Sequence, residues 1–254
     1  TSPLRDEMIP GILEQIHELC GRGTLVSYMA GEPTVCRGIL EWVQLAGRLG
    51  LDFRFTTNGY AMTKEMAEGF VSAGLFNIGV SLESLDPTIN EAIRPHANGT
   101  MKTIRCIEML LAARAQQKKP LSINIKTVLT DLNLESFADI VRKFGKLDGV
   151  FCTPQIFEMQ EGMPQRTRDL LYVKDVRRLQ RVTEDIRELQ AQGYAVHVTD
   201  QALKEMVKRY QDDHGHTVEM HANELTMGDS EPPCSIGTDN LFISHGVVQL
   251  CPYH

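Results

Sequence analysis

Apolar residues recur along this chain with two alternating periods, one suited to amphipathic helices and the other to buried strands. Met8, Ile9, Ile12, Leu13, Ile16 and Leu19 form a helical stripe closed by Gly21 and Gly23. A short apolar run, Leu25 to Met29, then reads as a strand. It passes through Ala30-Gly31-Glu32-Pro33 into a second helical pattern, Ile39, Leu40, Val43, Ala46 and Leu49. Asp52 to Thr56 sets Phe53 and Phe55 between polar neighbours. Thr63 is placed to cap a helix whose apolar face is Met66, Ala67, Phe70 and Val71, with Gly74 as its stop. The unit repeats: strand Asn77 to Leu82, helix Met101 to Gln117, strand Leu121 to Leu129, helix Leu134 to Phe144 capped by Asn133, strand Val150 to Phe157. Asp175 to Gln192 is a long amphipathic helix ended by Gly193.

Strands that alternate with helices, each spaced for a right-handed crossover, predict a parallel α/β architecture, either a barrel or a doubly wound sheet. Polar motifs favour the barrel, because they end several successive strands: Gly31-Glu32, Thr57-Asn58-Gly59, Ser81-Leu82-Glu83-Ser84 and the region of Thr127. An open sheet gathers ligand groups at one switch point, whereas a barrel collects them from many strand ends. Beyond Gly193 the regularity fades, with a short strand at Tyr194 to Val198, a helix at Gln201 to Tyr210 and a polar, His-rich stretch to Met227. Leu241 to Ile243 and Val247 to Leu250 then flank Ser244-His245-Gly246 as a β-hairpin.

Composition narrows the class. The 254 residues are 42% hydrophobic and 23% charged, enough for a full globular core. A net charge of -7 without a Lys/Arg-rich run gives no footprint for nucleic acid or an acidic membrane. No apolar stretch reaches membrane-spanning length and Thr1-Ser2-Pro3 opens no signal peptide, so a cytoplasmic location is expected. Cys20, Cys36, Cys106, Cys152, Cys234 and Cys251 are too scattered for a disulfide scaffold.

Several residues carry candidate chemistry, and each has a plain reading beside the chemical one. Gly31 lets backbone approach a ligand, and Pro33 is expected to keep Glu32 and the carbonyls of Ala30 and Gly31 facing outward, a lip of acceptors suited to an ammonium group. The same tripeptide also fits an ordinary βα loop. Asn124 and Lys126 alternate with Ile123 and Ile125, which puts them either on a barrel lumen or, for Lys126, at a strand end reaching solvent. Cys152 is a hydrogen donor to a substrate radical or a buried structural thiol. His214, His216, His221 and Glu219 have the look of metal ligands, although a solvated loop explains them better.

Taken together, the strand ends resemble the radical S-adenosylmethionine (SAM) superfamily. Gly31-Glu32-Pro33 resembles that family's Gly-Gly-Glu-Pro motif, with Ala30 in place of the first Gly. Thr56-Thr57-Asn58-Gly59 looks like its Thr-Asn-Gly strand end, and Val80-Ser81-Leu82-Glu83-Ser84 with Arg94 is similar to its Ser-Leu-Asp-Ser segment and downstream Arg. The resemblance implies a SAM site in which Ala30, Gly31 and Glu32 hold the ammonium, Thr57 and Arg94 the carboxylate, and Ser81 and Glu83 the ribose. It also implies a [4Fe-4S] cluster, whose Cys-x3-Cys-x2-Cys ligands do not occur in the chain. The first strand and the cluster loop are therefore expected ahead of Thr1, and the five strands become the second to sixth of a partial (β/α)6 TIM-like barrel.

Cys234-x11-Gly246-x4-Cys251 resembles the opening of a SPASM or twitch extension, so Cys234 and Cys251 are implied ligands of an auxiliary [4Fe-4S] cluster. The expected organisation is a barrel over 1–199, a helical and polar connector over 200–230 and the start of the SPASM or twitch domain over 231–254. The implied activity is reductive cleavage of SAM to a 5'-deoxyadenosyl radical that abstracts hydrogen from a peptide or a small polar, sugar-like substrate. Electrons would come from a flavodoxin or ferredoxin. Two other readings are a non-catalytic barrel of the same descent that binds a nucleotide or a partner, and an unrelated TIM-barrel enzyme.

Overall fold

A computed structural model describes residues 5–29, 31–157 and 162–212, together with two short strands at 242–244 and 247–249. After α1 (Ile9–Cys20), strands and helices alternate: β1 (Leu25–Tyr28), α2 (Ile39–Leu49), β2 (Asp52–Thr57), α3 (Lys64–Ala73), β3 (Asn77–Ser81), α4 (Pro87–Ile93), α5 (Gly99–Gln117), β4 (Ser122–Leu129), α6 (Ser136–Phe144) and β5 (Val150–Ile156). Next come α7 (Gln165–Leu171), α8 (Val176–Ala191) and α9 (Asp200–Asp212). β6 (Phe242–Ser244) and β7 (Val247–Gln249) pair antiparallel, the hairpin expected from the sequence.

The five main strands are parallel and lie in the order β1-β2-β3-β4-β5. Each new strand joins the same growing edge, as in a barrel wall, and no reversal of order creates a switch point. Burial alternates along β2 and along β4. Phe53, Phe55, Ile78, Val80, Ile123 and Ile125 turn to the helical layer, where they meet a core that includes Val43, Phe70, Leu110, Phe137 and Ile186. Polar residues on the alternate positions are left to the opposite, concave face.

Local signals account for most boundaries. The Thr63 hydroxyl accepts from the Met66 N–H, and Gly74 takes the left-handed conformation at the end of α3. Asp175 caps α8 by accepting from the Arg177 N–H. Two expectations are corrected. Asn133 is not a cap on α6, which has no side-chain cap; its amide instead ties the β4–α6 loop to Glu83. Tyr194 to Val198 makes one bridge, Val196 to Cys152, rather than a strand. The short helices α4 and α7 carry too few apolar repeats for the sequence pattern to have shown them.

Candidate functional site at the strand rims

The carboxyl ends of β1, β2 and β3 and the inner wall of β4 surround a cavity of about 750 Å³. Its β1 rim is the turn after Tyr28, where Gly31 adopts a positive φ of 49° that favours glycine. Ala30 lies outside the described residues. Glu32 differs from expectation. Its carboxylate does not face outward but accepts from the N–H (3.1 Å) and hydroxyl (2.6 Å) of Thr34, the hydroxyl of Thr57 (2.5 Å) and the N–H of Asn58 (2.7 Å). Its carbonyl accepts from the Val35 N–H. Glu32 is thus the clasp between the β1 and β2 turns, which leaves backbone around Gly31 for the expected lip of acceptors.

Thr57 is corrected for the same reason. It is 1% exposed, and its hydroxyl spends its proton on Glu32 while accepting from the Gly59 N–H at 2.9 Å. No proton remains for a ligand carboxylate. The Thr57-Asn58-Gly59 turn is clamped from outside by Thr103, whose hydroxyl donates to the Asn58 carbonyl at 2.7 Å. Gly59, at φ 78°, is pressed against Cys106, so a Cβ there would sit 2.8 Å from the Cys106 Cβ.

At the β3 rim, Glu83 is fully buried and does not line the cavity, which corrects its assignment to a ribose. One carboxylate oxygen accepts from Arg94 Nε at 2.6 Å and the other from the Val128 N–H at 2.7 Å. Burial raises its carboxyl above the ordinary range, and the Arg94 charge opposes that rise. Arg94 lies beyond the end of α4, is 38% exposed and lines the cavity. With Nε fixed on Glu83, its two terminal nitrogens make no hydrogen bond to a described residue. The Ser81 hydroxyl, at the end of β3, likewise opens into the cavity without a described partner.

Asn90 and Asn133 hold this rim, in roles that no periodicity or motif announced. Asn90 Oδ1 accepts from the N–H groups of Glu83 and Ser84, while Asn133 Nδ2 donates to the Glu83 carbonyl. Deeper in the cavity the wall is polar, as the alternation in β4 predicts. Asn124 and Lys126 line it together with Ser27, Arg54, Thr56 and Asn77. Arg54 alternates with Phe53 and Phe55, a signal that could have found it. Burial and the nearby Arg54 charge hold the Lys126 ammonium below the usual lysine range.

Of the two readings of Cys152, the buried structural thiol fits: it is fully buried among the core residues behind β5, and burial pushes its thiol up to about 12. Cys20, Cys36 and Cys106 are free thiols, and among the described residues no three His, Cys, Asp or Glu side chains converge as a metal site. Cys234 and Cys251, and the group His214, His216, Glu219 and His221, lie outside the described residues. No helix of the described residues is long and apolar enough to cross a membrane.

The sequence pattern of the Radical SAM superfamily matches residues 3–144, more than half of the chain. The chain belongs to that superfamily, whose enzymes use SAM and a [4Fe-4S] cluster. It is similar to a probable GTP 3',8-cyclase of Thermococcus kodakarensis, 29% identical over 158 residues, which are 61% of this chain and 48% of that protein. It is also similar to the PqqA peptide cyclase of Rhodopseudomonas palustris, 26% identical over 134 residues, 52% of this chain and 34% of that one. The chain thus spans half or less of the length of these relatives. Streptococcus suis SuiB bound to S-adenosylmethionine shares the fold at a TM-score of 0.59 and 18% identity, covering 79% of this chain and 44% of that one. Native anSMEcpe with bound AdoMet and Kp18Cys peptide shares it at a TM-score of 0.55 and 15% identity, covering 76% of this chain and 55% of that one.

Proposed function

We propose that this chain is the SAM-holding barrel of a radical SAM enzyme that removes hydrogen from a C–H bond of a peptide or small polar substrate. The observation that carries the reading is Arg94, which lines the cavity with Nε held by a buried carboxylate and with terminal nitrogens that have no partner among the described residues. A carboxylate is what such a planar fork accepts best. Arg94 would therefore hold the methionyl carboxylate, the Ser81 hydroxyl a ribose hydroxyl, and backbone carbonyls at Ala30 and Gly31 the ammonium. Glu32, Thr57 and Glu83 position these groups from behind. When bound and reduced at an iron-sulfur cluster, SAM would supply a 5'-deoxyadenosyl radical. The described residues provide no ligand set for that cluster, and their part is to bind, orient and exclude water.

A peptide is favoured as substrate because relatives are named PqqA peptide cyclase and mycofactocin maturase, and one structural neighbour is SuiB bound to the precursor peptide SuiA. Residues 231–254, with Cys234 and Cys251, are proposed as the start of a SPASM or twitch domain carrying an auxiliary cluster. A flavodoxin or ferredoxin is the proposed electron donor. In the anaerobically reconstituted full-length protein, Arg94→Met is expected to weaken SAM binding by about tenfold or more, and Ser81→Ala by several-fold. Calorimetric titration reads both, and 5'-deoxyadenosine formed under reductant reads the chemistry. SAM affinity unchanged by both substitutions would remove the rim assignment.

A further inference from the structure

The inner wall below the rim carries two cations without an acid to match them. Among the described residues lining the cavity, Glu32 is the one carboxylate, and its oxygens are committed to Thr34, Thr57 and Asn58. Arg54, on β2, spends Nε on the Ser27 hydroxyl at 3.3 Å. Lys126, on β4, donates to the Thr56 hydroxyl at 3.1 Å, which leaves two of its three N–H groups without a described partner. A half-buried ammonium satisfied by one neutral hydroxyl is costly unless something anionic joins it.

The wall is shaped to bring this ammonium across β3. Thr56 pairs with Gly79 and Ser81 pairs with Lys126, so Lys126 must reach over β3 to touch β2. Gly79 makes room for that reach: its φ is not positive, but a Cβ there would stand 2.6 Å from the Thr56 hydroxyl and 3.2 Å from Lys126 Cε. The missing side chain lets the Lys126 stem lie across β3 and carries its ammonium toward the strand that bears Arg54. Asn124, whose Oδ1 accepts from the Thr153 hydroxyl at 2.8 Å, borders the same space with an amide nitrogen that has no described partner.

We infer that Arg54 and Lys126 clamp an oxyanion, a carboxylate or a phosphate, of the substrate on the lumen wall, beneath the rim that holds SAM. This rests on the radical SAM reading of the rim for the anion's being part of a substrate. The clamp would fix the end of the substrate remote from the reacting C–H bond, which is how binding energy is turned into orientation. It lies in a chain of net charge -7, so the positive lumen is a local feature and not a consequence of overall composition.

The probes are inorganic phosphate and glutarate, titrated calorimetrically into reconstituted holoenzyme saturated with SAM, with methylammonium as the cationic control. Saturable binding of at least one anion is expected, weakened by about tenfold or more in Lys126→Met and in Arg54→Gln, and retained in Lys126→Arg. SAM affinity should stay within about twofold in all three variants, which also shows that they are folded. Tighter phosphate than glutarate would assign the anion to a phosphorylated substrate, and the reverse order to a carboxylate. No saturable anion binding, or equal binding in Lys126→Met, overturns the clamp. Anion binding that persists in a protein unable to bind SAM would instead overturn the reading of the rim.

Discussion

Glu83 and Arg94 are unequal partners, and the inequality has a measurable consequence. Glu83 is fully buried whereas Arg94 can reach water, so removing the arginine strands a buried carboxylate, while removing the carboxylate leaves an arginine that water can reach and a Val128 N–H without its acceptor. Arg94→Met should cost roughly 2–3 kcal/mol at neutral pH, a figure lowered from the range for fully buried pairs because Arg94 is partly exposed. The folded-state carboxyl of Glu83 is raised by burial, so its contribution to stability is present below the unfolded carboxylate range and is lost as pH rises through the folded value. Without Arg94 the Val128 N–H alone opposes that rise, and the folded value climbs further. The gap between the variant and its parent should thus be widest at pH 7 and should narrow toward pH 5. Urea unfolding at the two values measures it; a gap that widens on acidification would show that Glu83 is not the group responsible.

On the scale of elements, α4 is a small part with a disproportionate task. It is capped by Asp86, whose carboxylate accepts from the Thr88 N–H at 2.7 Å, and it ends at Arg94. Its Asn90 satisfies two buried N–H groups of the β3 rim, so one turn of helix sets both the rim's backbone and the Arg94 fork. Asp86→Ala should cost about 1 kcal/mol, the usual value of an exposed cap. Asn90→Leu, which leaves the Glu83 and Ser84 N–H groups unpaired, should cost about 2–3 kcal/mol and weaken SAM binding as well. Hydrogen exchange at those two amides separates the cases. Faster exchange is expected in Asn90→Leu alone, and equal protection in both variants would refute the assignment of Asn90 as the rim's anchor.

At the level of the whole molecule, five parallel strands added in one direction leave an apolar outer face for the helices and a polar inner face for a ligand. A ligand that bridges the rims of several strands should stiffen all of them together. SAM at one hundred times its dissociation constant should stabilise the reconstituted protein by about 2.7 kcal/mol, read as a rise in melting temperature that increases with SAM concentration. A melting point that ignores SAM would contradict a site built from these rims. The architecture itself was legible beforehand because a period of 2 or 3.6 is imposed locally, through which residues meet the core: Phe53 and Phe55, or Asn124 and Lys126, declare their faces by spacing alone. Spacing also placed Gly31 and Ser81 at strand ends, whereas Arg94 was implied by the family resemblance and lies at the end of α4. It had no means of deciding which polar groups would satisfy one another. Glu32, Thr57 and Glu83 were expected to meet a ligand, yet each is occupied by partners brought from other segments, at separations of up to 45 residues in the case of Glu83 and Val128. Whether a carboxylate faces a cavity or closes a turn depends on which donors the fold delivers to it. That pairing is made between distant segments, and only the tertiary structure decided it.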